Sequence, residues 1–199
     1  VPSGSDVSTK ALAQMEKTLA GAAELLPPPM NFDVVGYGCT SGTSVIGPDN
    51  VAKLIHRGCC VRHVTEPVSA LIAACRALGV FKIAFLSPYV ADVSQILRLV
   101  LAQNGLETAV FGSFNEGTEA KVARIAKQSI KAAALALVKG SHADAIFLSC
   151  TNLQTLNVIE EIEAECNLPV LSSNQVLAWH MSVLAKQTDF SERVGKLMV

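Results

Sequence analysis

Strand-like and helix-like patterns alternate along almost the whole chain, and this alternation limits the fold more than any other feature. Asp6 or Ser8 caps a helix running to about Leu26, with apolar positions at Leu12, Met15, Leu19, Ala22 and Leu26. Pro27-Pro28-Pro29 stops it. Strands are expected at Phe32–Tyr37, Val61–Thr65, Lys82–Leu86, Leu106–Phe111, Ala143–Ser149 and Pro169–Leu171. Between them lie helical stretches at Pro48–Arg57, Pro67–Leu78, Asp92–Asn104, Thr118–Lys139 (one long or broken helix), Leu156–Cys166 and Asn174–Ala185. Gly79, Gly105 and Gly140 follow three of these helices as natural C-caps. Strands separated by helices need right-handed crossovers, so the sheets are parallel and covered on both faces. The expected fold class is therefore α/β.

Two segments repeat one pattern. Asp33-Val34-Val35-Gly36-Tyr37-Gly38-Cys39-Thr40-Ser41 and Asp144-Ala145-Ile146-Phe147-Leu148-Ser149-Cys150-Thr151-Asn152 each run from an Asp through an apolar stretch to Cys-Thr and a small polar residue. The carboxyl end of a parallel strand is where a ligand crevice forms. Two such ends, one in each half, suggest two similar lobes: residues 1–77 plus 175–199, and residues 78–174. Across the crevice, two thiols suit proton movement between the faces of one carbon. They equally suit thiolate addition to one carbon with proton handling at its neighbour.

Composition removes several alternatives. Half of the 199 residues are hydrophobic and only 17% are charged, so much of the chain is destined for burial. A net charge of −1 leaves no electrostatic footprint for nucleic acid. No apolar run has the length of a membrane span. The six cysteines form no C-x-x-C pair and no zinc-spaced cluster with histidine, so no metal site is expected. Free thiols in such a chain fit a reducing cytoplasm.

Each candidate residue also has a plainer reading. Gly38-Cys39-Thr40-Ser41-Gly42-Thr43 offers backbone amides and hydroxyls to an oxyanion, or is simply a strand-to-helix turn with a small buried thiol. It lacks the spacing and lysine of a phosphate loop. Ser149-Cys150-Thr151-Asn152 mirrors it, and the pairing favours function for both. Tyr89, in the loop Ser87-Pro88-Tyr89, offers a phenol to a substrate carboxylate or is an amphipathic surface residue. His180 reads as a packed structural residue. Cys59, Cys60, Cys75 and Cys166 read as packing.

Six stretches carry a family likeness: Val1-Pro2-Ser3, Tyr37-Gly38-Cys39-Thr40-Ser41-Gly42, Pro88-Tyr89, Val122-Ala123-Arg124-Ile125, Ser149-Cys150-Thr151-Asn152 and Ser172-Ser173-Asn174-Gln175. In them the chain resembles the aspartate/glutamate racemase superfamily. Within it, the likeness is to the branch of maleate cis-trans isomerases, arylmalonate decarboxylases and ectoine-utilisation proteins. The resemblance implies a cofactor-free enzyme of two pseudo-symmetric α/β lobes, a homo-oligomer, with the active site between the lobes. It implies Cys39 and Cys150 as the catalytic pair, and Ser3, Thr40, Ser41, Tyr89, Glu119, Thr151 and Asn152 around a small carboxylate or dicarboxylate. Decarboxylases of this branch carry glycine at the first cysteine position. Cysteine at both positions points instead to isomerase or racemase chemistry.

Two departures from the pattern matter. Maleate isomerases follow Val-Pro-Ser with a substrate-binding Asn, whereas Gly4-Ser5 stands here, so residues are expected to be missing near Gly4 or Ser5. They also carry Asn three residues before the Val-Ala-Arg run, where this chain has Glu119. A carboxylate there repels a dianion, which points away from maleate unless Glu119 turns out of the site. No Lys, Arg or His lies within either cysteine motif, so neighbouring hydroxyls and amides are expected to lower the thiol pKa. A small-molecule binding module without catalysis is the alternative from a different class.

Overall fold

The computed structural model describes residues 1, 7–27, 31–187, 189–190 and 193–198. The first helical segment divides into α1 (Thr9–Gln14) and α2 (Glu16–Ala23), and Ser8 caps α1 by accepting from the Ala11 amide at 3.2 Å. Then come β1 (Phe32–Gly36), α3 (Thr40–Ile46), α4 (Pro48–Gly58), β2 (Val61–Thr65) and α5 (Pro67–Leu78). The chain continues through β3 (Lys82–Tyr89), α6 (Ala91–Gln103), β4 (Glu107–Glu116), α7 (Glu119–Val122), α8 (Lys127–Val138) and β5 (Ala145–Leu148). It closes with α9 (Ile159–Cys166), β6 (Val170–Ser172) and α10 (Ser173–Leu184). Gly79 ends α5 with φ 67°, the left-handed cap its position predicts.

All strand pairs are parallel. β1 and β2 form a small sheet, with Gly36 opposite Thr65. The other four strands form a second sheet in the order β4-β3-β5-β6. Its central strands are buried along almost their whole length, and β5 is wholly apolar, because both faces are covered there. One face presents Ile83, Phe85 and Phe147 to Leu97 and Leu101 of α6 and to Leu71 of α5. The other presents Leu86, Ile146 and Leu148 to Ile130 of α8 and to Ile159 and Ile162 of α9.

That division fixes where a ligand crevice opens. From β3 the chain crosses one face through α6 to β4; from β5 it crosses the opposite face through α9 to β6. The carboxyl ends of β3 and β5 are thus adjacent where the crossovers diverge, which is the crevice position in an open parallel sheet. Tyr89 ends β3 and Cys150 follows β5.

Three elements differ from the sequence expectation. Ser87-Pro88-Tyr89 is strand rather than loop. Pairing of β3 with β5 ends at Leu86, and the pairing with β4 shifts register between Ser87 and Tyr89. Pro88, which has no amide to donate, therefore fits there. Thr40–Ile46 forms α3, where no element is expected, whereas the 118–139 stretch takes the broken form of its expectation as α7 and α8, which sets Glu119 at the first position of a short helix beside the crevice. Cys60 is exposed rather than packed, because it lies in the turn between α4 and β2. Pro28 and Pro29, the expected helix stop, and Gly4 and Ser5, where residues are expected to be missing, lie outside the described residues.

The α1–α2 pair covers the crevice from the side of the small sheet. A methyl group at Gly58 would meet the carbonyl oxygen of Ala20, so glycine is what lets α2 lie this close to α4. Leu12 and Met15 are buried by this packing and turn toward the cavity described next.

Candidate active site

The first cysteine motif leaves β1 and turns directly into α3. Cys39 is the N-cap of that helix, and its sulfur accepts from the Gly42 amide at 3.3 Å. Thr43 locks the turn by donating its hydroxyl to the Cys39 carbonyl at 2.7 Å. Thr40 is buried and donates its hydroxyl to Ser173 Oγ at 2.9 Å.

The second motif leaves β5 with Cys150 at φ 110°, in the left-handed half of backbone space. A cysteine held there stores about 1–3 kcal/mol of strain, which the surroundings must hold in place. They do so in two ways. Ser173 Oγ accepts from the Cys150 amide at 2.9 Å, and the Asn152 amide donates to the Cys150 sulfur at 3.2 Å. Ser173, fully buried, therefore accepts from both cysteine loops at one oxygen. Thr151 adds a second tie by donating its hydroxyl to the Gly38 carbonyl at 3.0 Å. Asn174 supports that loop through the Thr151 carbonyl at 2.8 Å.

Both thiols line one enclosed cavity of about 60 Å³. That is room for roughly four to six water-sized groups, the scale of a small acid. Val7, Ala11, Leu12 and Met15 form its apolar side. Thr40, Ser41, Tyr89, Glu119 and Thr151 share the polar side with the two cysteines. A wider cleft of about 590 Å³ shares Met15, Cys39, Glu119 and Thr151 with it and adds Asn152 and Asn174.

Tyr89 joins the second thiol to Glu119. Its hydroxyl lies 2.9 Å from Cys150 Sγ and 3.1 Å and 3.3 Å from the two Glu119 oxygens. The phenol has one proton, and an ionised carboxylate is the stronger acceptor. The consistent arrangement is Tyr89 donating to Glu119 and accepting from the Cys150 thiol. Asn152 donates its side-chain amide to Glu119 Oε1 at 2.8 Å. Glu119 is thus held inside the site, not turned away from it.

Both thiols are protonated at neutral pH. Burial pushes Cys150 up to about 11, the Asn152 amide opposes this, and nearby Glu119 adds to the rise. Burial also raises Cys39 above its ordinary 9.0; the Gly42 amide and Tyr37 oppose this, and Glu119 reinforces it. The expected lowering of the thiol pKa by neighbouring donors is therefore overturned in the free protein, because desolvation outweighs them. Burial beside the Cys150 thiol and Glu119 likewise raises the Tyr89 phenol.

The remaining residues sort as follows. Thr40, Ser41, Tyr89, Glu119 and Thr151 meet at the inner cavity, and Asn152 reaches it through Glu119. Ser3 lies outside the described residues. His180 is tied to Thr65 at 2.7 Å and does not line the cavity, and Cys75 is wholly buried in the core with its thiol pushed up to about 12. The bridging role of Ser173 and the use of α1 as the apolar wall are not anticipated, although the stretch Ser172-Ser173-Asn174-Gln175 and the apolar positions Leu12 and Met15 stand out in the sequence. Among the described residues, no group of three or more His, Cys, Asp or Glu side chains could hold a metal ion. Among them, too, no helix is long and apolar enough to cross a membrane.

Residues 55–198 match the sequence profile of the arylmalonate decarboxylase (Amdase) family. The arylmalonate decarboxylase of Bordetella bronchiseptica is 31% identical over 122 residues, 61% of this chain and 51% of that protein. A maleate isomerase of Nocardia farcinica is 26% identical over 169 residues, 81% of this chain and 65% of the relative. The chain thus spans about half to two thirds of the length of these relatives. Its fold is that of the maleate isomerase Iso from Pseudomonas putida S16, at a TM-score of 0.82 and 21% identity, covering 98% of this chain and 80% of that one. A Nocardia farcinica maleate cis-trans isomerase variant, with one cysteine exchanged for serine and a covalently bound succinylcysteine intermediate, superposes with a TM-score of 0.82 at 23% identity, over 97% and 81% of the two chains.

Proposed function

The chain belongs to the arylmalonate decarboxylase family, and from that premise we propose that it is a cofactor-independent, two-cysteine isomerase of a small carboxylate. The observation that carries this reading is the position of Cys39 and Cys150, from two different sheets, on one enclosed cavity. A binding site for a small acid has no need of two thiols.

The roles follow from the surroundings. Cys39 is the less buried sulfur and sits at the amide-rich start of α3. As thiolate it adds to one carbon of a double bond conjugated to the substrate's carboxylate. The π electrons move to the neighbouring carbon, which takes the proton of Cys150. The former double bond is now single and rotates. Cys150, as thiolate, then removes that proton, the double bond reforms in the other geometry, and the carbon–sulfur bond breaks to restore Cys39. Atoms and charge balance over the cycle. The thiol of Cys150, kept protonated beside Tyr89, is suited to giving the proton. Ser41, on the polar side of the cavity, is suited to hold the carboxylate.

The placement of both thiols on one cavity, each with its pKa raised by burial, supports one further reading: they alternate as base and acid at a carbon next to a carboxylate, as a racemase requires. The lobes would then be residues 1–77 plus 175–199 and residues 78–174. Supporting this division, α10 packs Leu177 and Met181 against Gly36 of β1 and bonds His180 to Thr65 of β2. Six free cysteines support a reducing compartment such as the cytoplasm.

The test is a panel of cis-enoic acids and amino acids of four to six carbons, incubated in deuterium oxide and followed by proton NMR. At least one acid is expected to isomerise or to exchange hydrogen for deuterium. Because burial raises Cys39 above 9.0, its thiolate is scarce at neutral pH. The sign is therefore a kcat/KM that rises with pH, about tenfold per unit between pH 7 and 9. A panel with no conversion and no exchange would remove the enzymatic reading.

A further inference from the structure

Glu119 sets a carboxylate beside both thiols, on the lining of the inner cavity. Two donors that could serve a bound carboxylate there, the Tyr89 hydroxyl and the Asn152 side-chain amide, already donate to Glu119. Among the described residues, no lysine, arginine or histidine lines the cavity or the outer cleft. A dicarboxylate reaching Glu119 would therefore bring one end against a like charge, with no lysine, arginine or histidine among the described lining residues to offset it.

The same geometry offers something in return. Oε1 accepts from Asn152 and shares the single Tyr89 proton with Oε2. An ionised carboxylate has about four acceptor positions, so capacity remains on the side that faces the cavity. That capacity matches an N–H group on the ligand.

We propose that Glu119 makes this site selective for a small acid with a single carboxylate and an N–H donor at its other end, an amide or an ammonium, and against dicarboxylates. The single carboxylate lies against Ser41, whose side chain lines the cavity. The donor end pairs with Glu119. This deepens the function proposed above and rests on it for the identity of the site.

The test reads binding rather than turnover. The ligands are succinate, its monoamide succinamate, and 4-aminobutanoate, all four-carbon acids without the double bond that the thiol chemistry needs. Calorimetric titration of the wild-type protein is expected to show succinamate or 4-aminobutanoate binding at least tenfold more tightly than succinate. The tighter of the two assigns the donor as amide or ammonium. In Glu119→Gln, a change of charge with little change of shape, that preference is expected to fall to below threefold. Succinate binding within tenfold of both N–H ligands in the wild type would overturn the proposal, as would no binding by any of the three. A preference unchanged in a folded Glu119→Gln would also overturn it. If that variant does not fold, the wild-type order decides alone. Loss of the isomerase reading through inactive panels would leave this binding order intact, so the two failures are distinguishable.

Discussion

Cys39→Ser is expected to abolish turnover, and Cys150→Ser to stop it as well, each by about 10⁴-fold or more, the scale on which a missing nucleophile registers in covalent enzymes. The two losses differ in what they leave behind. Without Cys39 no carbon–sulfur bond forms, and the substrate is recovered unchanged. Without Cys150 the thiolate of Cys39 still adds and water supplies the proton to the neighbouring carbon, while the thiolate that would retrieve it and expel the product is gone. An adduct then accumulates on Cys39, visible as one substrate mass in the intact-mass spectrum. Absence of an adduct in an otherwise inactive Cys150→Ser would favour the racemase reading. Near-normal kcat in both variants would refute the two-thiol mechanism in either form.

Ser173→Ala is expected to damage activity without touching either sulfur. The Ser173 oxygen accepts from the Cys150 amide and the Thr40 hydroxyl, at 2.9 Å each, and so joins the two cysteine loops. Its loss leaves two buried donors without their partner, at a cost of about 1–3 kcal/mol for each unsatisfied group. For a chain of this length that lowers Tm by roughly 2–4 °C per kcal/mol. The larger effect is on geometry. Cys150 holds its unusual φ of 110° only while its amide is tied down. A shift of about 1 Å in a reacting group costs about 100-fold in rate. The fall is expected in kcat, with KM changed little, because Ser173 bonds to Thr40 and Cys150 rather than to Ser41 or Glu119. A Ser173→Ala protein with reduced Tm but wild-type kcat would make Ser173 a purely structural residue.

Much of this arrangement is legible in the sequence because it is local. The alternation of apolar runs with helical stretches fixes parallel strands, and the strand ends at Cys39 and Cys150 follow from where the runs stop. Gly79 announces its helix end because a left-handed cap is a single-residue property. What escapes the sequence depends on contacts made at a distance. Pro88 suggests a loop, yet the strand continues past it because the neighbouring strands have already stopped pairing or shifted register. Glu119 faces the cavity only because the 118–139 stretch breaks into two helices. Ser173 bridges the loops across 133 and 23 residues of chain, and no periodicity records such a pairing. The thiol pKa follows the same rule: the donors around Cys39 are readable, but burial outweighs them and is a property of the whole fold.

The central claim, that one small acid binds between Cys39 and Cys150, is tested most directly by timed iodoacetamide labelling with peptide mapping, with and without a substrate found in the panel. Of these two thiols, Cys39 is expected to label first. Cys150 is expected to lag, being only 2% exposed, raised to about 11 and bonded to Tyr89. The acid is expected to protect both thiols with the same half-saturating concentration, while exposed Cys60 labels at an unchanged rate. Protection of one thiol alone, or of the two at different concentrations, would contradict a shared site.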